Sequence, residues 1–169
     1  MALSQADFNA LVTDHAPALY RMAFRLTGDR HEAEDVVQET FRSAWNSRER
    51  YESGRGDRAW LASILRRRVV DRWRRRPREG MITGGDAFDV ETAGVNPLAD
   101  EYTDEMQAAL ARLPADLRET LLLVVVGELT HQEAAELLNV PLGTVLSRVS
   151  RARARLREYL SSSAKTDVY

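Results

Sequence analysis

Arginine is the residue type whose number and spacing in this sequence could do chemistry. Of the 24 lysines and arginines in the 169-residue chain, 23 are arginine. Ten of them lie within 55–78 and five within 148–157, whereas 79–111 holds eight acidic residues and no basic one. Guanidinium groups clamp phosphates and pair with guanine edges through two hydrogen bonds. The distribution predicts two separate polyanion-binding surfaces, with two solvated helix faces as the alternative.

Aromatic residues are interleaved with the first group of arginines. Tyr51 lies in a polar stretch, and Trp60 and Trp73 lie within an arginine-rich segment. Rings and guanidinium planes stack on unpaired bases while the positive charge follows the nucleic-acid backbone. This mixture predicts contact with single-stranded or unstacked bases. Tyr51 is the stronger stacking candidate, because Trp60 and Trp73 also fit core positions.

Residues that could support catalysis or bind a metal are few and scattered. The chain has no cysteine, and its histidines are His15, His31 and His131. The segment HEAED at 31–35 lacks the second histidine of a zinc-protease helix, although His31 and Asp35 have a spacing that a metal site could use. The simpler explanation is that both side chains are solvated on the helix surface. We therefore expect no enzyme activity, no cofactor and no metal.

Nothing in the sequence suggests a membrane segment. No apolar run approaches the roughly 20 residues that span a bilayer. Residues 1–8 have neither the basic start nor the apolar stretch of a signal peptide. We expect a cytoplasmic protein without membrane insertion.

The periodicity of the first half predicts three helices. Apolar residues recur at three- and four-residue steps over 5–27, 33–45 and 58–76. The polar segment 46–57, which contains two glycines, is predicted to be a loop, and Asp57 is predicted to cap the third helix. On the second helix, the face with Asp35, Gln38, Glu39 and Arg42 suits a basic protein partner, with solvated surface as the alternative.

The second half predicts four shorter helices. Asp116 with Glu119 and Thr130 with Glu133 each have the spacing of a capping box. The apolar run LLLVVV at 121–126 fits a buried strand by local propensity, but the start signal before it favours a helix. A turn at 139–143 then separates a short helix from an arginine-rich helix over 144–160, which is a helix-turn-helix pattern.

The last helix is predicted to have two distinct faces. Apolar residues fall on one side and would be buried. The other side carries hydroxyls near the helix start and guanidinium groups along its length, which suits a major groove and its phosphates. The inward set is Val145, Val149, Ala152, Leu156 and Tyr159, and the outward set is Thr144, Ser147, Arg148, Arg151 and Arg155.

These patterns together predict an all-α fold of two small helical domains joined by a flexible linker. The first domain is expected over 1–78 and the second, with the helix-turn-helix, over 104–162. The acidic linker occupies 79–103, and a tail follows at 163–169.

Three segments, in this order, resemble the extracytoplasmic-function (ECF) group of sigma-70 RNA polymerase sigma factors. DRHEAEDVVQETFRSAW at 29–45 resembles the family's polymerase-binding segment. AWLASILRRRVVDRWRRR at 59–76 resembles the segment that recognises and melts the −10 promoter element. LARLPADLRE at 110–119 with LTHQEAAELLNVPLGTVLSRVSRARARL at 129–156 resembles the domain that reads the −35 element. The sequence departs from the family's usual pattern at Ser63, Arg67, Leu146 and Ser150.

The resemblance implies a function in transcription initiation and a role for each matching position. Core RNA polymerase would be bound through the clamp of its β′ subunit, and an anti-sigma factor would be a further partner. The implied polymerase-binding residues are Asp35, Gln38, Glu39 and Phe41; the −10 DNA-binding residues are Tyr51, Arg67, Asp71, Arg74 and Arg75; and the −35 DNA-binding residues are Thr144, Ser147, Arg148, Arg151 and Arg155.

Two alternatives use the same fold for a different function. A sigma-like mimic would occupy an anti-sigma factor without touching DNA, and it should lose its arginine-rich faces. A stand-alone helix-turn-helix regulator would need no polymerase-binding segment and would usually dimerise on a palindrome.

Overall fold

The computed structural model describes residues 3–52, 56–75 and 104–164. Helices account for this part of the chain, with no strand within the described ranges, so the all-α prediction is confirmed. The predicted linker over 79–103 lies outside the described residues. The α-helices are α1 Gln5–Thr27, α2 Arg30–Asn46, α3 Asp57–Arg75, α4 Asp104–Arg112, α5 Ala115–Val125, α6 His131–Leu138 and α7 Leu142–Ala164.

Helices α1, α2 and α3 form the first packed unit. The Ser4 side chain caps α1 by accepting from the Asp7 amide, and Asp29 caps α2 by accepting from the Glu32 amide at 2.8 Å. Gly28 ends α1 with φ 71°, a left-handed conformation that glycine adopts without a Cβ penalty. Burying the apolar faces of these helices stabilises the unit by roughly 1.5–3 kcal/mol for each large side chain. The fully buried side chains here include Met22, Val36, Leu61, Leu65 and Val69.

The sequence predicts a loop between α2 and α3 and a cap on α3 from Asp57, and the structure differs on both points. A short 3-10 helix occupies Arg48–Arg50. Helix α3 already includes Asp57 as its first residue, so Asp57 is not the residue before the helix, where a side-chain cap stands. The Asp57 carboxylate instead accepts a hydrogen bond from the Tyr51 hydroxyl.

Helix α5 confirms that the apolar run at 121–126 begins as a helix, but it corrects the predicted start. Pro114 is the N-cap residue and has no side-chain capping bond, so the capping box of Asp116 and Glu119 does not form. The helix begins at Ala115, which places Asp116 and Glu119 inside its first turns. Leu121, Leu122 and Leu123 are all buried, which explains the uninterrupted apolar sequence.

Helices α6 and α7 form the predicted helix-turn-helix. The capping box of Thr130 and Glu133 is present, with Thr130 accepting from the Glu133 amide at 3.1 Å and Glu133 accepting from the Thr130 amide at 2.8 Å. Asn139 ends α6 in a left-handed conformation at φ 54°. Helix α7 begins at Leu142, two residues earlier than predicted, so Gly143 belongs to the helix and not to the turn.

The two halves of the chain are in contact across α1 and α5 and across α3 and α6. Arg25 Nη1 donates to Gln107 Oε1 at 2.8 Å. A Cβ added at Gly127 would lie 3.2 Å from the Met22 sulfur, so the backbone after α5 approaches α1 closely. The halves thus pack into one body, although the sequence allowed them to lie apart.

Candidate nucleic-acid and protein interfaces

Helix α2 presents an acidic, hydrophilic face to solvent. Its opposite face is fully buried at Ala33, Val36, Thr40 and Ala44. The spacing of 3.6 residues per turn then leaves Asp35 and Gln38 exposed and Glu39 half-buried. Phe41 lies beneath this face, with its ring edge-on to the Phe8 ring at 6.4 Å between centroids. The residue types and placement allow the face to receive basic groups of a protein partner.

Arg72 belongs to this acidic face, although sequence reasoning did not select it. Its Nη2 atom lies 2.9 Å from Glu39 Oε1 and 3.8 Å from Asp35 Oδ2. The guanidinium group comes from α3, so it holds two carboxylates of α2 in place from a neighbouring helix. Nothing in the local sequence separates Arg72 from the other arginines of its segment, because its partners lie more than 30 residues away in the chain.

The C-terminal half of α3 carries the predicted −10 residues on one side. Arg67, Asp71 and Arg75 follow one another at four-residue steps and Arg74 lies three residues after Asp71, which brings the four to one helix face. Arg67, Arg74 and Arg75 are exposed, and Asp71 is half-buried and lies 3.9 Å from Arg68. Leu61, Leu65 and Val69 are buried on the opposite side. The exposed face has an excess of positive charge and could follow a phosphate backbone.

Tyr51 lies near the other end of α3, apart from these arginines. Its hydroxyl donates to the Asp57 carboxylate, and its ring packs on the Trp60 ring at 5.0 Å between centroids. The hydrogen bond to Asp57 is the main reason why the pKa of Tyr51 rises to about 12, and desolvation adds to it. The ring is half-buried and already has an aromatic neighbour. Residues 53–55 of the same loop lie outside the described residues.

The two tryptophans are partly buried against the core, which agrees with the interpretation that they are core residues. Trp60 contacts Tyr51, and Trp73 lies under the guanidinium group of Arg118 at 5.7 Å. Arg118 comes from α5 and is desolvated enough to lower the pKa of its side chain. The Trp73 ring therefore serves the contact between the two halves in this structure.

Helix α7 buries the predicted apolar stripe, whereas only part of the predicted outward set is exposed. Val145, Val149, Ala152 and Leu156 are buried, and Tyr159 is half-buried beneath Arg112 at 4.0 Å. Among the predicted DNA-binding residues, Ser147, Arg151 and Arg155 are exposed, and Thr144 is half-buried. The exposed side of α7 therefore offers a hydroxyl and guanidinium groups over several turns.

Arg148 corrects the predicted outward set of α7, and Leu146 is an exposed position outside it. The Arg148 side chain is 22% exposed and lies 3.8 Å from the Asp116 carboxylate, so in this structure it faces α5 and not open solvent. Leu146 is 49% exposed, the largest value among the exposed large hydrophobic residues of the described segments. Sequence reasoning placed Leu146 on neither face.

Two ion pairs join α3 to the second half of the chain. Arg66 of α3 pairs with Glu119 of α5, and Arg58 Nη1 lies 2.9 Å from Glu128 Oε2. Glu128 adopts a left-handed backbone at φ 56°. The start of α3 also approaches the helix-turn-helix, because a Cβ at Gly56 would lie 3.3 Å from Glu133 Oε1.

The described helices also bear on the question of a membrane segment. No helix within 3–52, 56–75 and 104–164 is both long enough and apolar enough to cross a bilayer.

Comparison with known families assigns both halves to one class of protein. Residues 11–79 match the model of sigma-70 region 2, and residues 103–156 match the model of sigma-70 region 4. Both halves of this all-helical chain therefore match regions of the sigma-70 class.

Comparison with individual relatives assigns the chain to one group within the sigma-70 class. The chain is 38% identical over 161 residues to the ECF RNA polymerase sigma factor SigE of Mycolicibacterium smegmatis, and the match covers 92% of this chain and 62% of that protein. It is 35% identical over 146 residues to the ECF sigma factor EcfG of Rhodopseudomonas palustris, covering 85% of this chain and 80% of that one. The chain belongs to the ECF RNA polymerase sigma factors, and the predicted family is confirmed.

A solved structure agrees with this assignment. The sigma factor RpoE of Bartonella quintana, in complex with the anti-sigma factor NepR, superposes with a TM-score of 0.76 at 34% identity. The match covers 92% of this chain and 97% of that one. Both the fold and the sequence of the two regions are therefore shared with a sigma factor.

Proposed function

We propose that this chain directs core RNA polymerase to specific promoters and assists melting of the −10 element. The observation that carries the proposal is the presence, in one chain, of an acidic face on α2 and two separate arginine faces on α3 and α7. The chain spans only 62% of the length of its SigE relative, and 80% of EcfG. The proposal concerns the functions that regions 2 and 4 can perform.

The first step is docking on polymerase through α2. Asp35, Gln38 and Glu39 would contact basic groups of the β′ clamp, with Phe41 supporting the helix from below. Charged groups at the rim of an interface raise the association rate and fix the orientation of the partners. Arg72 would act as a positioning residue for the two carboxylates.

The second step is binding at two promoter elements. Ser147, Arg151 and Arg155 of α7 would meet the −35 major groove and its phosphates, with Thr144 and Arg148 at the flank. Arg67, Asp71, Arg74 and Arg75 of α3 would hold the −10 strand, and Tyr51 would lie beside an extruded base. Stacking contributes roughly 1–3 kcal/mol per base, which offsets an unstacking cost of a few kcal/mol.

The mechanism needs binding alone and no bond chemistry. Melting is a shift of an existing opening equilibrium towards the state that the chain binds. We place region 2 at 1–78 and region 4 at 104–162, joined by the acidic segment 79–103. The chain would act in the cytoplasm, where polymerase and promoter are.

An anti-sigma factor is part of the proposal. The RpoE relative was crystallised with the anti-sigma factor NepR, and its likeness to this chain extends over both regions. The present chain would be held inactive by a partner of that kind.

Of the two alternatives, the mimic is disfavoured by exposed arginines. A protein that only occupies an anti-sigma factor does not need arginines for binding DNA. Five such arginines are exposed in this chain: Arg67, Arg74, Arg75, Arg151 and Arg155. The stand-alone regulator is disfavoured by the acidic face of α2, which has no function in DNA binding.

The test is transcription in vitro with purified core polymerase on genomic fragments. We expect promoter-specific starts that depend on the added chain. Arg151→Ala should weaken −35 binding and flatten its salt dependence by about one unit of slope, without changing core affinity. The exposed Arg30→Ala on α2 is the matched control, because it removes the same charge away from α7. Absence of specific starts would overturn the proposal.

A further inference from the structure

The exposed side of α7 is lined by small residues along its midline. Gly143, Ser147, Ser150 and Ala154 lie opposite the buried stripe of Val145, Val149, Ala152 and Leu156, and all four are exposed. Small side chains let a helix backbone approach its ligand closely, so larger side chains at the edges of this midline would make the first contacts in a groove.

Two larger side chains flank the midline near the helix start. At 100° per residue, Leu146 and Arg151 project roughly 70° to either side of the line between Ser147 and Ser150. They are separated by about 7.5 Å along the helix axis, at a rise of 1.5 Å per residue.

Leu146 is the apolar member of this pair. It is 49% exposed, and Leu142, one turn earlier on the same flank, is 42% exposed. A leucine side chain can neither pair with a phosphate nor hydrogen-bond a base edge. The apolar group that the major groove offers is the C5-methyl group of thymine, whereas the other bases present donors and acceptors there.

We propose that Leu146 is a specificity-determining residue that contacts the C5-methyl group of a thymine in the −35 element. The inference rests on the proposed function, because it requires α7 to lie in a −35 major groove. Arg151 on the other side of the midline supplies the charge that holds the helix there, and the small midline residues permit the approach. The leucine then favours thymine at one position over bases that lack the methyl group.

The experiment uses holoenzyme, assembled from core polymerase and the full chain, on a promoter identified by its transcription start. Each thymine of the −35 element is replaced singly by deoxyuridine, which removes only the methyl group. We expect one position at which this replacement weakens holoenzyme binding about fourfold, the effect of losing one buried methyl group. Leu146→Ala should weaken binding to the thymine promoter and lose the sensitivity to deoxyuridine at that position.

Two controls separate this contact from general effects. Val125→Ala shortens another exposed apolar side chain, on α5, and should retain the full deoxyuridine effect. Leu146→Lys should also lose the effect while steepening the salt dependence, because it exchanges an apolar contact for a charge near the phosphates.

The outcomes distinguish this inference from the proposed function. If specific starts occur but no thymine of the −35 element responds to deoxyuridine, or the element has no thymine, the Leu146 contact is wrong and the sigma function stands. The same holds if Leu146→Ala keeps the full response, or if it lowers core polymerase affinity instead, which would identify a protein contact. If holoenzyme gives no specific starts, both proposals fail.

Discussion

Arg72 Nη2 lies 2.9 Å from Glu39 Oε1, so the acidic face of α2 and the arginine-bearing helix α3 share an ion pair. The pair is partly exposed, with side-chain exposures of 27% for Arg72 and 40% for Glu39. Its contribution to the free energy of unfolding should therefore stay below about 1 kcal/mol. The functional effect of Glu39 should be larger than its effect on stability.

We predict that Glu39→Gln lowers the affinity for core polymerase about fivefold at low salt, the effect of removing one charge from an interface rim. The measurement is the equilibrium binding of labelled chain to core enzyme at two salt concentrations. Asp14→Asn is the matched control, because Asp14 is exposed on α1 and the substitution removes the same charge outside the face of α2. Equal losses for the two variants would contradict the assignment of the face.

The contact between the halves leads to a prediction about conformation. The −10 and −35 positions are about 25 base pairs apart, which is roughly 85 Å of B-DNA at 3.4 Å per step. Two halves packed against each other cannot reach both elements, so they must separate on a promoter. The chain has no cysteine, so Asp14→Cys and Glu158→Cys, both at exposed positions, give two unique labelling sites. Energy transfer between the dyes should fall when core polymerase and promoter are added.

A charge variant tests whether the ion pairs hold the halves together. Glu119→Gln removes the charged partner of Arg66, and should lower energy transfer in the free protein. Glu105→Gln at an exposed position of α4 changes the net charge equally and should leave energy transfer as it was. If the promoter complex kept the energy transfer of the free protein, the two halves would not separate in the way proposed.

The fold could be predicted from sequence wherever the signal is local. The apolar periodicity of α1, α2 and α3 reports which face is buried, and the capping box of Thr130 and Glu133 is a contact between residues three apart. The same local pattern at Asp116 and Glu119 does not form a capping box, because Pro114 is the N-cap residue and Glu119 pairs with Arg66, 53 residues earlier. A pairing at that separation leaves no periodic trace in the sequence.

The candidate surfaces also combine features that a local sequence pattern predicts with features that depend on how distant helices pack. The exposed arginines of α3 and α7 follow from the spacing of their buried neighbours. The turn of Arg72 towards Glu39 and the pairing of Arg148 with Asp116 depend on how separate helices pack, which no local pattern encodes. The exposure of Leu146 follows from helix geometry once the buried stripe is known, so that signal was present in the sequence.

The hydrogen bond from Tyr51 to Asp57 leads to a prediction about pH. Because the bond holds the phenol in its neutral form, the pKa rises from 10 in a free tyrosine to about 12 in the folded chain. A pKa that is higher in the folded state stabilises the fold fully below pH 10, and this contribution is lost as the pH rises through about 12. Asp57→Asn should return the ionisation of Tyr51 towards pH 10.

The measurement is tyrosine ionisation followed by ultraviolet absorbance, with Tyr51→Phe identifying the contribution of this residue. Tyr20, whose pKa is raised mainly by burial, is the internal control and should be unaffected by Asp57→Asn. A high ionisation pH that persists for Tyr51 in the Asp57→Asn variant would mean that another group holds the phenol.

The capping box before α6 should make a measurable contribution to stability. Thr130→Ala removes the oxygen that accepts from the Glu133 amide, so we expect the free energy of unfolding to fall by about 1 kcal/mol. Thr130→Ser keeps the hydroxyl and should remain within a few tenths of the parent value. Urea unfolding of both variants checks this, and equal losses would assign the effect to the threonine methyl group.

Two glycines of the second half should respond in opposite directions to the same substitution. At Gly127 an added Cβ would lie 2.7 Å from the Leu123 carbonyl oxygen and 3.2 Å from the Met22 sulfur, so backbone or core must shift. We expect Gly127→Ala to lower the free energy of unfolding by roughly 1–3 kcal/mol, as overpacking does. At Gly143, inside α7, the added Cβ meets nothing within 4 Å. Gly143→Ala should therefore raise the free energy of unfolding by about 0.5 kcal/mol, because alanine lowers the entropy of the unfolded chain. Urea unfolding of the two variants side by side tests both, and a harmless Gly127→Ala would mean that α1 and the end of α5 are not closely packed in solution.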